Sequence, residues 1–315
     1  MNSTDAARWL SERDNFLIIS HRRPDGDAIG SAAGLAQGLR ECGKTAYVFN
    51  DPETIERYVP YVEKYIAPDG FVPEHIITVD TAAADLLPPT GNMYKDSISL
   101  AIDHHPSYTG YASQSCVDSS CAACGELVYA ILMELSGEIS TDTAIPLYIA
   151  LASDTGCFSF GNTTADTLRI ASVLVEAGAP NNKINKTLFN TKTRNRIMLE
   201  GLIMAGLEFH YNDTVAIASI TQEMIDQCGA TENIMTDLPA ISFSIENIIA
   251  GITIRELSES LCKISVRTAS PINASDFCAK FGGGGHPFAA GCEIELPIKE
   301  AKAQLVAALA DKLGA

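Results

Sequence analysis

The first third of the chain alternates strand-sized apolar runs with helical or polar segments, and this alternation limits the fold more than any other feature. The runs are NFLIIS (Asn15–Ser20), KTAYVFN just after Gly43, EHIITVD (Glu74–Asp80) and SISLAID (Ser97–Asp103). Short apolar runs of this kind suit strands buried on both faces. Between the first two lies DAIGSAAGLAQGLRECG, whose apolar residues recur at helical spacing and stop at Gly43, a good helix-ending residue. Three more helices are predicted over Gly125–Leu135, Thr141–Ala152 and Ala165–Ala177. Buried strands separated by helices predict an α/β domain with a parallel sheet.

The second half changes character. Asn181–Leu207 is polar, then helical, and reads as a connector. Beyond it DTVAIASIT, IAGITIRELS, LCKISVRT and GCEIELP have strand patterns, with helices predicted over Ile272–Phe281 and Ile298–Leu313. A chain of 315 residues is long enough for two cores. The expected organisation is a parallel-sheet α/β domain over residues 1–185, a helical linker over 186–208 and a smaller α+β domain over 209–315. There is no internal repeat, and the only low-complexity patch is Gly282–Gly285.

Charge narrows the partners. The formal net charge of −17 repels long polyanions, so a general grip on long duplex DNA or RNA is not expected. Small anions held in a local site remain compatible. No apolar stretch approaches the ~18 residues of a membrane span. The start, MNSTDAARWLSERDNF, has neither a basic n-region nor an apolar h-region, so no signal peptide and a cytoplasmic location are expected. Nine cysteines, an odd number spread along the chain, do not read as a secreted disulfide framework. Cys121 and Cys124 form a CxxC with Cys116 just before it. No second ligand pair follows for zinc, and a thioredoxin-like context is absent. Small buried thiols opening the helix CGELVYAILMEL are the expected explanation.

The polar residues fall in telling places. Three predicted strands end in side chains able to bind metal. The first runs into His21, with Asp25 and Asp27 beyond it. The third ends at Asp80. The fourth ends at Asp103, His104 and His105. Ligands bind outside the carboxyl ends of strands in open parallel sheets, so these groups should share one crest. Asp154, where a helical pattern breaks near Gly156, is a further candidate. Each carboxylate alone has an ordinary explanation: Asp27 as a helix cap, Asp80 as a turn former, Asp154 as a helix end. Turns need no histidine, yet three of the six histidines lie at strand ends. Mixed imidazole and carboxylate ligands suit Mn²⁺ better than Mg²⁺. Two ions ~3.5–4 Å apart can share a carboxylate and hold a hydroxide for attack on an electrophile, and phosphate esters are the natural target.

KFGGGGHPFAAG (Lys280–Gly291) lies inside the second domain, between a predicted helix and a predicted strand. Consecutive glycines let backbone amides converge on an anion. His286 and Lys280 add positive character, and Arg255 and Arg267 stand out in an acidic domain.

In this order, HRRPDGDAIGS, VDTA, DHH and SDTG resemble the four motifs of the DHH phosphoesterase superfamily, and GGGGHPFAAG resembles the glycine-rich motif of the DHHA1 domain. In size the chain is most similar to the nano-RNase branch, oligoribonucleases that also dephosphorylate adenosine 3′,5′-bisphosphate. The resemblance implies two Mn²⁺ ions, with Mg²⁺ or another divalent ion as a substitute. It implies His21, Asp25 and Asp80 around one ion, and Asp27, Asp80, His104 and Asp154 around the other, Asp80 bridging. It implies that His105 contacts the scissile phosphate and that Asp103 supports the site by orienting a ligand histidine. Gly283, Gly284, Gly285 and His286, assisted by Arg267, would bind a substrate phosphate from a cap domain across a cleft, with hinge motion around Asn181–Leu207.

The implied substrate is a short oligoribonucleotide, a dinucleotide or adenosine bisphosphate. A cyclic dinucleotide or its linear product is the nearest alternative. A nucleotide-binding regulator without catalysis is the rival of a different class. No membrane partner is expected, and monomer and homodimer both stay open.

Overall fold

Each of the four apolar runs forms a strand: β1 (Phe16–Ile19), β2 (Ala46–Val48), β3 (His75–Val79) and β4 (Ile98–Asp103). In the computed structural model, which describes residues 1–231, 235 and 238–313, they join a fifth strand, β5 (Gln114–Val117). All pairs are parallel, in the order β2-β1-β3-β4-β5. The polar strand β5 was not expected. It lies at the sheet edge, where it pairs with β4 along its length and buries one residue, Cys116.

The helices of this unit are α1 (Ser3–Ser11), α2 (Gly26–Glu41), α3 (Val59–Val62), α4 (Cys124–Ser136), α5 (Thr141–Asp154), α6 (Ala165–Glu176) and α7 (Asn181–Asn185). The unpredicted α1 is capped by Asn2 and buries Ala6, Ala7 and Leu10, a narrow stripe at helical spacing. In α2, nearly every residue from Gly26 to Leu39 is buried. Glycine permits this: a Cβ on Gly30 would lie 2.4 Å from the Pro146 carbonyl oxygen of α5. The core includes Phe16, Ile18, Leu35, Leu39, Ile77 and Leu100, each fully buried and each stabilising the fold by roughly 1.5–3 kcal/mol.

The second unit holds α8 (Arg194–Ala205), β6 (Glu208–His210), β7 (Val215–Ile220), α9 (Gln222–Cys228), β8 (Ala250–Ser258), β9 (Leu261–Thr268), α10 (Ala274–Ala279), β10 (Gly284–His286), β11 (Ala289–Ile294) and α11 (Ile298–Leu313). Its strands run β10-β11-β9-β8-β7-β6. The β7–β8 pair is parallel and the others antiparallel, so the sheet is mixed. Ala301, Leu305 and Leu309 of α11 repeat every four residues and pack with Ile252, Ile254 and Ile264. Leu199 and Ile203 of α8 pack with Ala218, Ile220 and Ile225. The units divide between Thr191 and Lys192. The linker expected over 186–208 is therefore shared: its first residues lie in the first unit and α8 lies in the second. Among the described residues no helix is long and apolar enough to cross a membrane.

Candidate metal centre

The carboxyl ends of β1, β3 and β4 and the last residue of α5 bring His21, Asp25, Asp27, Asp80, His104, His105 and Asp154 together. Past β1 the chain turns at His21 into α2. Asp25 is the N-cap, its Oδ1 accepting from the amides of Asp27 (3.0 Å) and Ala28 (3.1 Å). The cap expected at Asp27 is thus at Asp25, two residues earlier. Asp27 sits in the first turn with its side chain fully buried. Its Oδ1 accepts from the Ser31 hydroxyl (2.8 Å) and the Gly125 amide (3.0 Å), its Oδ2 from the Cys124 amide (2.6 Å). Amides at the start of α4, where the helix dipole is positive, thereby fix an acidic side chain from α2.

Asp80 follows β3 with φ at +50°, a left-handed conformation that costs a non-glycine residue roughly 1–3 kcal/mol. Its amide donates to the Ile102 carbonyl of β4 at 3.0 Å. Its side chain is 3% exposed, and among the described residues its Oδ1 has no hydrogen-bond partner. Such a buried, unsatisfied carboxylate oxygen calls for a cation. At the end of β4, Asp103 Oδ1 accepts from His105 Nδ1 at 2.7 Å and from the His104 amide at 2.9 Å. The histidine that Asp103 orients is therefore His105, the expected phosphate contact, and not one of the expected metal ligands, His21 and His104. The Nδ1 of His104 instead donates to the Cys121 carbonyl (3.2 Å). That leaves Nε2 facing Asp154 Oδ2 at 3.3 Å, Asp80 Oδ1 at 3.5 Å and Asp27 Oδ2 at 3.7 Å. His21 is arranged alike: Nδ1 donates to the Arg22 carbonyl (2.8 Å), and Nε2 lies 3.6 Å from Asp80 Oδ2 and 4.0 Å from Asp25 Oδ1. A ring nitrogen held by a carbonyl and its partner turned toward carboxylates is the geometry of a histidine ready to ligate.

Ligand atoms of His21, Asp25 and Asp80 lie within 4.8 Å of one another, as do those of Asp27, His104 and Asp154. Asp80 Oδ1 reaches the second group through His104 and forms a third with His104 and His105. Without a cation the electrostatics are strained. Burial pushes Asp27 well up, reinforced by the charges of Asp80 and Asp154. Burial and the charges of Asp25 and Asp80 raise Asp154 to about 7. Burial pushes Asp80 up too, but His104 and His21 outweigh it and hold this carboxyl well below the usual range. Burial pushes both histidines down, yet the Asp80 carboxylate and its neighbours hold His21 at about 9 and His104 at about 10. Protons on the histidines stand where positive charge is needed. Asp154 also ends a helix, where a carboxylate meets the negative pole of the dipole. This donor set fits divalent cations.

Sequence reasoning missed the elements that hold these side chains. Ser31, Cys121, Cys124 and Gly125 all contact them, three of the four through backbone atoms. Cys124 is a buried free thiol at the start of α4, as the composition implied, and the CxxC serves as the turn carrying these backbone groups.

In the second unit the glycine run forms a hairpin. Gly284, Gly285 and His286 pair antiparallel with Gly291, Ala290 and Ala289. Ala289 in turn faces Arg267 of β9. His286, Ala289 and Arg267 thus share one row across three strands, and residues in one row point to one face. The opposite face carries Ala290, Val266 and Ile252 into the core. A small residue, Ala289, separates His286 from Arg267 in this row.

Residues 15–151 match the family model for the DHH family, N-terminal domain, and residues 213–315 match that for the DHHA1 domain. The chain is 29% identical over 300 residues to the bifunctional oligoribonuclease and PAP phosphatase NrnA of Thermus thermophilus, covering 95% of this chain and 90% of that protein. It is 27% identical to the protein of the same name from Bacillus subtilis, covering 92% and 93%. The crystal structure of an exopolyphosphatase-related protein from Bacteroides fragilis shares the fold, with a TM-score of 0.86, 24% identity and coverage of 99% and 98%. The order of the motifs, the crest they build and the two family matches agree: this chain belongs to the DHH–DHHA1 phosphoesterase superfamily and is similar to its nano-RNase branch.

Proposed function

We propose that this protein is a Mn²⁺-dependent phosphoesterase that hydrolyses short oligoribonucleotides and dinucleotides, and adenosine 3′,5′-bisphosphate as well. The observation that carries the proposal is the pair of ligand groups that meet at Asp80, whose buried Oδ1 makes no hydrogen bond among the described residues. His21, Asp25 and Asp80 hold one cation, and Asp27, Asp80, His104 and Asp154 the other. Bound there, divalent ions supply Lewis acidity toward a phosphate oxygen and activate water as a nucleophile. The chain's own residues do the rest. Asp103 fixes the His105 ring through Nδ1 and raises its basicity, so that the imidazolium presents its Nε2–H to a phosphate oxygen. His286 and Arg267, with the backbone of Gly283, Gly284 and Gly285, bind a further phosphate of the substrate. Strong negative net charge disfavours long polyanions and so favours short substrates.

A substrate panel with Mn²⁺ tests this. It holds dinucleotides, RNA of two to about five nucleotides, adenosine 3′,5′-bisphosphate and cyclic dinucleotides. Release of mononucleotides from the short RNAs is expected. Turnover of cyclic dinucleotides alone would reassign the substrate. Binding of every nucleotide without hydrolysis would replace the enzyme by a regulator.

A further inference from the structure

The segment after the Asp-His-His triplet returns to Asp80 from the other side. His104 and His105, at its start, meet the Asp80 carboxylate. Farther along, the Thr109 amide donates to the Ala82 carbonyl at 2.9 Å, and the Tyr111 hydroxyl donates to the Thr81 carbonyl at 2.8 Å. Tyr111 Oη also lies 2.8 Å from Thr78 Oγ1. A phenol has one proton, and Thr81 takes it, so in this second bond Thr78 is the donor. The chain of bonds runs Thr78 Oγ1–H to Tyr111 Oη–H to the Thr81 carbonyl, and it spans Asp80 from two residues before to one after. Thr81 Oγ1 adds a bond to the Val79 carbonyl at 2.9 Å. Thr78 and Thr81 are buried to about 1% exposure.

Something must hold this loop. Asp80 has a positive φ, which β-branched neighbours do nothing to favour, and its carboxylate has no fixed protein donor on Oδ1. The carboxylate of Asp25 is fixed by two amides and that of Asp27 by two amides and a hydroxyl. The Asp80 carboxylate receives no amide or hydroxyl among the described residues and meets the rings of His21, His104 and His105 at 3.5–3.6 Å, so its placement leans on its backbone, which the Ile102 carbonyl and the bond chain through Tyr111 hold.

We propose that Tyr111 is a positioning residue for the metal centre: its hydroxyl clamps Thr78 and Thr81 so that Asp80 presents both carboxylate oxygens to the two ligand groups. This rests on the proposed metal-dependent function. It assigns to Tyr111 no contact with substrate or cation.

The experiment compares wild type, Tyr111→Phe and Thr78→Val. Phenylalanine keeps the ring that packs, tilted, against Tyr108 (centroids 5.2 Å apart) and removes only the hydroxyl. Valine keeps the shape of Thr78 and breaks one link. Mn²⁺ binding is followed by the electron paramagnetic resonance signal of the free ion, with circular dichroism confirming folded protein. Tyr111→Phe is expected to weaken Mn²⁺ binding about 3- to 10-fold, the size of one or two net hydrogen bonds, and Thr78→Val less. At saturating Mn²⁺ the KM for a dinucleotide should stay within about twofold of wild type, since no substrate contact is lost. A lower Tm with unchanged Mn²⁺ affinity in both variants would reduce Tyr111 to ordinary packing and overturn the inference while leaving the metal centre intact. Wild-type protein that binds no Mn²⁺ would overturn the functional proposal and this inference with it.

Discussion

The Asp27 carboxylate accepts a 2.6 Å hydrogen bond from the Cys124 backbone amide, 97 residues away in sequence. A helix start thus holds one acidic side chain of the candidate site, and the packing of α4 on its neighbours sets where that side chain sits. Gly125 is the weak point: a Cβ there would lie 2.6 Å from the Ala150 Cβ of α5. Gly125→Ala should push α4 away from α5, cost about 1–3 kcal/mol and weaken Mn²⁺ binding together with it. Thermal denaturation and Mn²⁺ titration of one sample check this; a Tm loss at constant affinity would uncouple the helix from the site.

Asp80 belongs to two of the three ligand groups. Asp80→Ala should lower kcat by at least about 10³-fold, because in the proposed arrangement it removes the ligand both ions would share. Activity near wild type would contradict the shared position.

Asp103 binds the Nδ1 of His105 at 2.7 Å and carries no ion in the proposed arrangement. Asp103→Asn should therefore lower kcat about 10–100-fold with Mn²⁺ stoichiometry unchanged. Its signature is in the pH profile. The Asp103 carboxylate raises the His105 pKa, so removing its charge lowers that pKa. Activity that needs the imidazolium should then fall off at lower pH than in wild type.

Metal binding should release protons. In the metal-free protein His21 stands at about 9 and His104 at about 10, above the ordinary 6.5. Cations displace these protons, so Mn²⁺ affinity should rise with pH up to that range, by up to about tenfold per unit for each proton displaced. Stability has the opposite sign. The pairing of His21 and His104 with Asp80 stabilises the metal-free fold fully below about pH 6.5, and this contribution is lost as pH rises through about 9–10. Calorimetric titration in two buffers of different ionisation heat measures the protons released; none released at pH 7 would refute the assignment of both histidines.

His286 lies in the second unit and in no ligand group. His286→Ala should raise KM for dinucleotides about 10-fold or more and leave kcat and Mn²⁺ affinity near wild type, as expected when binding alone is lost. A KM unchanged for every nucleotide would remove this residue from substrate binding.

Much of the protein was legible in its sequence. Apolar runs at Phe16–Ile19 and Ile98–Asp103 must be buried, and burial on both faces allows few partners besides a parallel sheet with helical cover. Histidines and aspartates at the ends of those runs then mark the crest, because strand direction in a parallel sheet puts all carboxyl ends on one side. What sequence periodicity could not supply are contacts that use no distinctive side chain. The amides of Cys124 and Gly125 on Asp27, the Cys121 carbonyl on His104 and the antiparallel pairing of a glycine run all involve the backbone, which every residue shares. The triplet Asp103, His104, His105 shows the division. Its composition marked a site, but which histidine Asp103 orients depended on the turn of the chain after β4. Only the tertiary structure sets that turn: it brings the His105 Nδ1 to Asp103 and leaves the His104 Nε2 among three carboxylates.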